Sequence, residues 1–190
     1  MKDIILSGIQ GSGKGTQAEL LLKHFGDRMK YCEMGAILRT LQMSDNAIGN
    51  YLAYYVQQGL LIKPEITSSL WGVFMETVNE NEIILGDGVL RTMGQTIPIV
   101  QQIWDKERSV IVINIEITEE EVRNRIAKRN QTSHRVDDAS QQAIHNRIEA
   151  FYRDTVPALE RLEEQGILIR VDGMRSEQEI FQDILKIIAE

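Results

Sequence analysis

A glycine-rich segment near the amino end limits the folds open to this chain more than any other feature. Residues 8–16 read G-I-Q-G-S-G-K-G-T, directly after an apolar run at residues 4–7 and directly before the helical pattern Q-A-E-L-L-L-K. Glycines let a backbone wrap a phosphate with its N–H groups, and the amino end of a helix attracts that anion. Lys14 can reach the outer phosphates of a nucleotide. The order strand, G-x-x-x-x-G-K, helix therefore predicts a phosphate-binding loop in an α/β fold.

Apolar segments with strand character alternate with helical segments along the chain, which is typical of a parallel sheet covered by helices. The predicted strands are 4–7, 29–32, 83–86, 110–115 and 167–171. The predicted helices are 14–25, 34–43, 64–79, 94–106, 119–130, 138–165 and 176–189. Two intervals break the rhythm, and we interpret them as a helical insertion, about 33–73, and a short lid, about 130–136; passive connections are the alternative. The sequence predicts one domain, residues 1–190, with a doubly wound, parallel, five-stranded sheet.

Composition excludes several classes of protein. The chain has 190 residues, of which 43% are apolar and 26% charged, and no apolar stretch approaches the length needed to span a bilayer. No targeting segment is indicated, so we expect a cytoplasmic location and no membrane partner. A net charge of −7 argues against a nucleic-acid partner. The single cysteine, Cys32, excludes an intrachain disulfide and a multi-cysteine zinc site, so any metal must have oxygen ligands.

A basic cluster stands out in this acidic chain. Between residues 123 and 135 five basic residues occur without one acid: Arg123, Arg125, Lys128, Arg129 and Arg135. A solvated helix face would give the same pattern. An anion-binding site is the other interpretation.

A second motif follows the predicted strand 83–86. Residues 87–95 read D-G-V-L-R-T-M-G-Q. A carboxylate at the end of a neighbouring strand, here Asp87, can orient Mg²⁺ through its water ligands. Arg91 can hold a phosphate with two hydrogen bonds. Asp-Gly is also a common turn, so the functional interpretation depends on the phosphate-binding loop upstream.

Both motifs resemble those of the adenylate kinase family and its nucleoside monophosphate kinase relatives. The family forms are G-x-x-G-x-G-K-G-T-Q, completed here by Gln17, and D-G-F-P-R-T-x-x-Q. Further likenesses extend over nearly the whole chain: E-M-G-A-I-L-R (33–39) beside S-T-G-D-M-L-R, Q-Q-G-L-L-I (57–62) beside x-x-G-K-L-V, N-R-I-A-K-R (124–129) beside D-R-I-x-x-R, H-R-V-D-D (134–138) beside R-x-D-D, and V-D-G-M-R (171–175) beside a V-D-G turn.

The resemblance implies a P-loop kinase of the short-lid form that transfers the γ-phosphoryl group of ATP to AMP, giving two ADP, with Mg²⁺ and without structural zinc. It implies ATP contacts by Gly11, Ser12, Gly13, Lys14, Gly15, Thr16, Arg125, Arg129 and Arg175. It implies AMP contacts by Met34, Arg39, Leu60, Leu61, Ile62, Gly88, Val89, Leu90, Arg91, Gln95, Arg135 and Arg147. The implied catalytic residues are Lys14, Asp87, Arg91, Arg125, Arg129, Arg135 and Arg147. Thr16 and Asp87 would hold the metal, Asp87 through water. Because short-lid members are often monomers, the resemblance also implies a monomer.

Four positions depart from the family patterns. Gln10 and Leu90 replace prolines, Met34 replaces the Thr that bonds the acceptor adenine, and Ala36 replaces an Asp. Because two of these changes fall in one acceptor segment, UMP, CMP, GMP or a deoxynucleotide stays an alternative acceptor. Gln95 favours AMP, since the family uses that residue to read the adenine edge. A nucleotide-binding regulatory protein without efficient transfer is a further alternative.

Overall fold

The computed structural model of the protein describes residues 2–132 and 140–189, with the side chains of 130–132 excepted. The elements follow in this order: β1 Asp3–Ser7, α1 Lys14–Phe25, a 3-10 turn Gly26–Arg28, β2 Met29–Glu33, α2 Met34–Leu41, α3 Ala47–Gln57, α4 Pro64–Met75, β3 Ile83–Asp87, α5 Met93–Asp105, β4 Val110–Glu116, α6 Glu119–Thr132, α7 Gln141–Ala150, a π-helical segment Phe151–Thr155, α8 Val156–Glu164, β5 Leu168–Asp172 and α9 Glu177–Ala189. The predicted lid, about 130–136, lies mostly outside the described residues.

The five strands form one parallel sheet in the order β2-β3-β1-β4-β5. Every residue of β1 and β3 is buried, because helices cover both faces of the sheet. One face packs on α1 and α9, and the other packs on α4, α5 and α8. The predicted fold class, an α/β protein with a five-stranded parallel sheet, is confirmed.

The register brings the ends of three strands to one edge of the sheet. Leu6 in β1 pairs with Asp87 in β3, which also pairs with Glu33 in β2. In open α/β sheets, ligands bind outside the carboxyl ends of the strands, where the strand order reverses. The fold therefore predicts a ligand site among the loops that follow β1, β2 and β3.

The helical prediction for residues 138–165 needs correction. The chain forms α7, then a π-helical segment, Phe151–Thr155, and then α8. Pro157 in the first turn of α8 has no N–H, and its ring clashes with the carbonyl four residues earlier, so a regular helix cannot continue through it. The beginning of the predicted helix, 138–139, lies outside the described residues.

The interval between β2 and β3 holds three helices, α2, α3 and α4. The sequence predicted no separate helix over α3, although the interval was assigned helical pattern. Asn46 caps α3, since its side chain accepts hydrogen bonds from the N–H groups of Ile48 and Gly49. Among the described residues no helix is both long and apolar enough to cross a membrane.

Candidate active site

A large cleft of about 980 Å³ opens at the carboxyl edge of the sheet. Its volume lies at the upper end of the range of about 300–1,000 Å³ that small-molecule sites occupy. The loop after β1 forms its floor, and α2, the turn after β3, α6 and α7 supply its walls.

The loop between β1 and α1 has the backbone that the glycine-rich sequence predicts. Gly8, Gly11 and Gly13 all have positive φ, at 140°, 80° and 100°. A Cβ on Gly8 would lie 2.5 Å from the carbonyl oxygen of Ile115, so only glycine fits there. The loop leads directly into the amino end of α1 at Lys14, where N–H groups are available for an anion.

Lys14 folds back over this loop. Its Nζ donates hydrogen bonds to the carbonyl oxygens of Gly8 at 2.7 Å and Ile9 at 2.9 Å, and to Oγ of Ser12 at 3.3 Å. The ammonium is thus held at the centre of the loop, where a phosphate group would contact it.

The surroundings of Lys14 disfavour its charged form. Burial lowers its pKa from the usual 10.5 to about 8, and Asp87 opposes the shift. Three guanidinium groups lower the pKa further: those of Arg91, Arg147 and Arg129. The cleft therefore concentrates positive charge around one point, and an anion bound there would favour the protonated lysine.

This pKa predicts proton uptake when the polyphosphate anion that the motifs predict binds to the loop. At pH 8 about half of the Lys14 side chains are neutral before binding, and a bound phosphate group raises their pKa. Binding is therefore expected to take up about half a proton at pH 8 and close to none at pH 6. Calorimetry in buffers of different ionisation enthalpy measures this uptake. Lys23→Met, on the exposed face of α1, should keep the proton uptake, and Lys14→Met should lose it. Uptake that is equal at both pH values would contradict the assignment of the proton to Lys14.

Asp87 ends β3 at the sheet edge and faces the cleft. The hydroxyl of Tyr31, in β2, donates a hydrogen bond to it. Burial raises the pKa of Tyr31 well above its usual value, and the carboxylates of Asp87 and Glu33 raise it further. Tyr31 therefore stays a neutral donor to Asp87, a contact that the sequence did not predict.

The turn after Asp87 is fixed by three hydrogen bonds around Arg91. Its backbone N–H donates to Oε1 of Gln95 at 2.9 Å, and its Nε donates to the carbonyl oxygen of Gly88 at 3.2 Å. Its own carbonyl oxygen accepts from Oγ1 of Thr155, in the π-helical segment, at 2.9 Å. Arg91 is thus positioned by two residues of its own turn and by one residue of the distant π-helical segment.

Leu90 does not line the cleft, although the sequence placed it among the acceptor-binding residues. Its side chain is fully buried in the core between the sheet and α5. Its φ is 58°, in the left-handed region that a non-glycine residue adopts at a cost of about 1 kcal/mol. Proline, with φ fixed near −65°, cannot take this conformation, so the turn differs in its backbone from one that contains the family proline.

A small apolar cluster joins the phosphate-binding loop to two helices. It contains Ile9 of the loop, Val122 and Ile126 of α6, and Ile144 and Ile148 of α7. Arg125 directly precedes Ile126, and Arg147 directly precedes Ile148. The cluster therefore anchors the helix segments that carry these two cleft-lining arginines beside the loop.

Arg125 lies between the phosphate-binding loop and the turn after β5. Its Nη2 donates to the carbonyl oxygen of Gly173 at 2.9 Å, and its Nε pairs with Glu121 at 2.6 Å. Arg129 lines the same wall, one helical turn further along α6. Arg175 also lines the cleft and pairs with Asp183 of α9.

The opposite wall is built by α2 and the end of α3. Arg39, on α2, forms an ion pair of 2.6 Å with Glu33. The side chain of Met34 is buried in the core below the cleft. It also lines the cleft, where it contributes apolar surface. The backbone after α3 turns at Gly59, with φ of 67°, and continues into Leu60. This turn packs on α7, since a Cβ on Gly59 would lie 2.9 Å from Cγ of Arg147.

The structure brings most of the predicted site residues together. Those that line the one cleft are Gly11, Ser12, Gly13, Lys14, Gly15, Thr16, Met34, Arg39, Leu60, Leu61, Ile62, Asp87, Gly88, Val89, Arg91, Gln95, Arg125, Arg129, Arg147 and Arg175. Leu90 is the exception, and Arg135 lies outside the described residues. Tyr31, Glu33 and Thr155 also line the cleft, and the sequence analysis missed all three.

The side chains in the cleft that were predicted to hold a metal offer oxygen donors. Thr16 and Asp87 both line it, and Mg²⁺ prefers such hard donors together with its own waters. Within residues 2–132 and 140–189, no group of three His, Cys, Asp or Glu side chains is placed to hold a metal ion.

A parallel sheet whose first strand leads through G-x-x-x-x-G-K into a helix, beside a cleft lined by arginines, defines a P-loop phosphotransferase. The sequence model of the family described as adenylate kinase matches residues 6–167. The chain belongs to the adenylate kinase family, whose members are ATP-dependent nucleoside monophosphate kinases. The resemblance stated from the sequence motifs is confirmed.

Curated relatives show the same similarity over nearly their whole length. The chain is 27% identical over 186 residues to the adenylate kinase of Phocaeicola vulgatus, covering 97% of each chain. It is 32% identical over 184 residues to adenylate kinase 1 of Schistosoma mansoni, covering 96% of this chain and 90% of the relative. It is 30% identical over 208 residues to the adenylate kinase of Chlamydia caviae, covering 95% and 94%. The likeness is therefore not confined to the phosphate-binding loop.

Proposed function

We propose that this chain catalyses the reversible transfer of the γ-phosphoryl group from Mg-ATP to AMP, giving two ADP. One observation carries the proposal: Lys14 and the side chains of Arg91, Arg129 and Arg147 line one cleft in a chain of net charge −7. Phosphoryl transfer spreads negative charge over three equatorial oxygens, and proteins accelerate it by placing cations around them. No general base is required.

On the donor side, the N–H groups of the loop and the amino end of α1 bind the phosphates of ATP, and Lys14 contacts the outer ones. Arg125, held against Gly173, forms the surface for the adenine base. Arg129 reaches the donor phosphates from the same helix. Mg²⁺, when bound through Thr16 and Asp87, supplies charge neutralisation to the β- and γ-phosphates.

On the acceptor side, Arg39, Arg91 and Arg147 bind the monophosphate. The backbone of Leu60, Leu61 and Ile62 lines the pocket for the base. Gln95 is buried and lines the cleft, and its side-chain oxygen already accepts a hydrogen bond from the backbone N–H of Arg91. This bond leaves its amide nitrogen as the group that can donate to the acceptor, which suits the ring acceptors of adenine better than a carbonyl oxygen would.

Residues of this chain line both the donor half and the acceptor half of the proposed site. We propose that the enzyme acts as a monomer, which sedimentation at assay concentrations tests. A dimer that dissociates with loss of turnover would contradict this.

The proposed reaction is tested by measuring ADP formation from Mg-ATP with each nucleoside monophosphate in turn. AMP is expected to give the highest kcat/KM, at least ten-fold above UMP, CMP and GMP, because Gln95 and the backbone after α3 match its base. Chelation of the metal should remove the activity. Preference for a pyrimidine monophosphate would overturn the acceptor assignment and keep the kinase class.

A further inference from the structure

A carboxylate lies inside the acceptor half of the cleft. β2 ends at Glu33, whose neighbour across the sheet is Asp87. Side chains alternate along a strand, so Glu33 shares a face with Tyr31, and both line the cleft, whereas Cys32 is buried in the core. Glu33 thus brings a negative charge into the space that an anionic acceptor must enter.

This carboxylate is paired with an arginine of the acceptor site. Oε1 of Glu33 lies 2.6 Å from Nη2 of Arg39, and the two side chains are only 30% and 26% exposed. A Cβ on Gly35 would lie 3.0 Å from Nη1 of Arg39, so the guanidinium folds back over the first turn of α2. The pair is more shielded from solvent than an ordinary surface ion pair. It uses guanidinium N–H groups of Arg39 that would bind the acceptor phosphate in the proposed function.

We propose that Glu33 weakens acceptor binding by competing with the acceptor phosphate for Arg39; this inference rests on the proposed function. A phosphate bound to the same guanidinium would lie a few ångströms from the Glu33 carboxylate. Two like charges at that separation in a partly buried site repel each other strongly. Acceptor binding therefore has to displace the Glu33–Arg39 pair, which raises the acceptor concentration needed for turnover.

The donor side is separate from this competition. In the proposed function the loop after β1, Lys14 and Arg125 bind ATP, whereas Arg39 lies on α2 after β2, and β3 separates β2 from β1 in the sheet. The effect of Glu33 should therefore appear in the KM for AMP and not in the KM for ATP.

The test compares the full-length protein with Glu33→Gln, which keeps the size of the side chain and removes its charge. Glu33→Ser is the second variant, in case the amide form folds poorly. Both are expected to lower the Kd for AMP in calorimetry and the KM for AMP in the assay by about ten-fold. The KM for ATP should stay within about two-fold. Glu80→Gln, an exposed glutamate between α4 and β3, removes the same charge outside the cleft and should leave both constants unchanged.

Two outcomes would overturn the inference. If the wild-type protein uses AMP and Glu33→Gln has an unchanged or higher KM for AMP, Glu33 does not oppose acceptor binding; the inference then fails and the proposed function stands. If neither protein binds AMP while both bind ATP, the proposed function fails together with the inference.

Discussion

Replacing Arg91 by alanine is expected to lower kcat for ADP formation by about 100- to 1,000-fold while the chain stays folded. Arg91 is held at the cleft by Gln95 and Thr155, and its guanidinium acts on the same site as the Lys14 ammonium. Removing one cation that stabilises the transferring phosphoryl group typically costs this factor or more. Steady-state kinetics with saturating ATP and AMP measures the loss.

Arg123→Ala is the matched control for this prediction. Arg123 belongs to the same basic stretch of sequence, but it pairs with Glu119 on the exposed side of α6 and does not line the cleft. Its replacement should leave kcat within about two-fold. Near-normal turnover of Arg91→Ala, with circular dichroism equal to that of the wild type, would show that the acceptor phosphate binds elsewhere.

Replacing Arg108 by methionine is expected to destabilise the protein by about 3 kcal/mol. Arg108 donates from Nε and Nη2 to the two carboxylate oxygens of Asp3, each at 2.7 Å, and also contacts the carbonyl oxygen of Glu82. The side chain of Asp3 is 2% exposed and that of Arg108 is 17% exposed, so the substitution leaves a buried charge without its cation. The midpoint of thermal unfolding should fall by roughly 6–12 °C.

Two further variants distinguish loss of the ion pair from general effects of replacing an arginine. Adding Asp3→Asn to Arg108→Met removes the buried charge, and the amide oxygen can still accept from the N–H of Ile84. The double variant is therefore expected to be more stable than Arg108→Met alone. Arg161→Met breaks an exposed pair with Glu164 and should change the midpoint little. Equal midpoints for Arg161→Met and Arg108→Met would contradict this account of the pair.

Most of the sheet was predictable because β1, β3, β4 and β5 are short, mainly apolar runs bounded by polar or turn residues, whereas β2 reads M-K-Y-C-E and gives a weaker signal. In β4, six of seven residues are buried, so the sequence has no reason to alternate and shows a run of Val and Ile interrupted only by Asn114. The interrupted helix was less predictable, since residues on both sides of Pro157 keep helical periodicity. The proline itself was the signal that the prediction of a single helix over 138–165 overlooked.

The phosphate-binding loop could be predicted because all of its chemistry lies within nine consecutive residues. Contacts that support the site could not, since they join distant parts of the chain: Thr155 holds the carbonyl oxygen of Arg91, and Gln10 of the loop donates to the carbonyl oxygen of Ile144. Glu33 could have been noticed, because it stands where the family segment begins with Ser. Its pairing with Arg39 required the fold of α2.

The proposed phosphoryl transfer from ATP to AMP is tested most directly by following the label from [γ-³²P]ATP in the presence of AMP and Mg²⁺. In-line transfer between two bound nucleotides predicts that the label moves into the β-phosphate of the ADP formed from AMP, with little inorganic phosphate released. Label that appears as inorganic phosphate, at a rate independent of AMP, would contradict the account, because it would mean that water and not a nucleotide accepts the phosphoryl group.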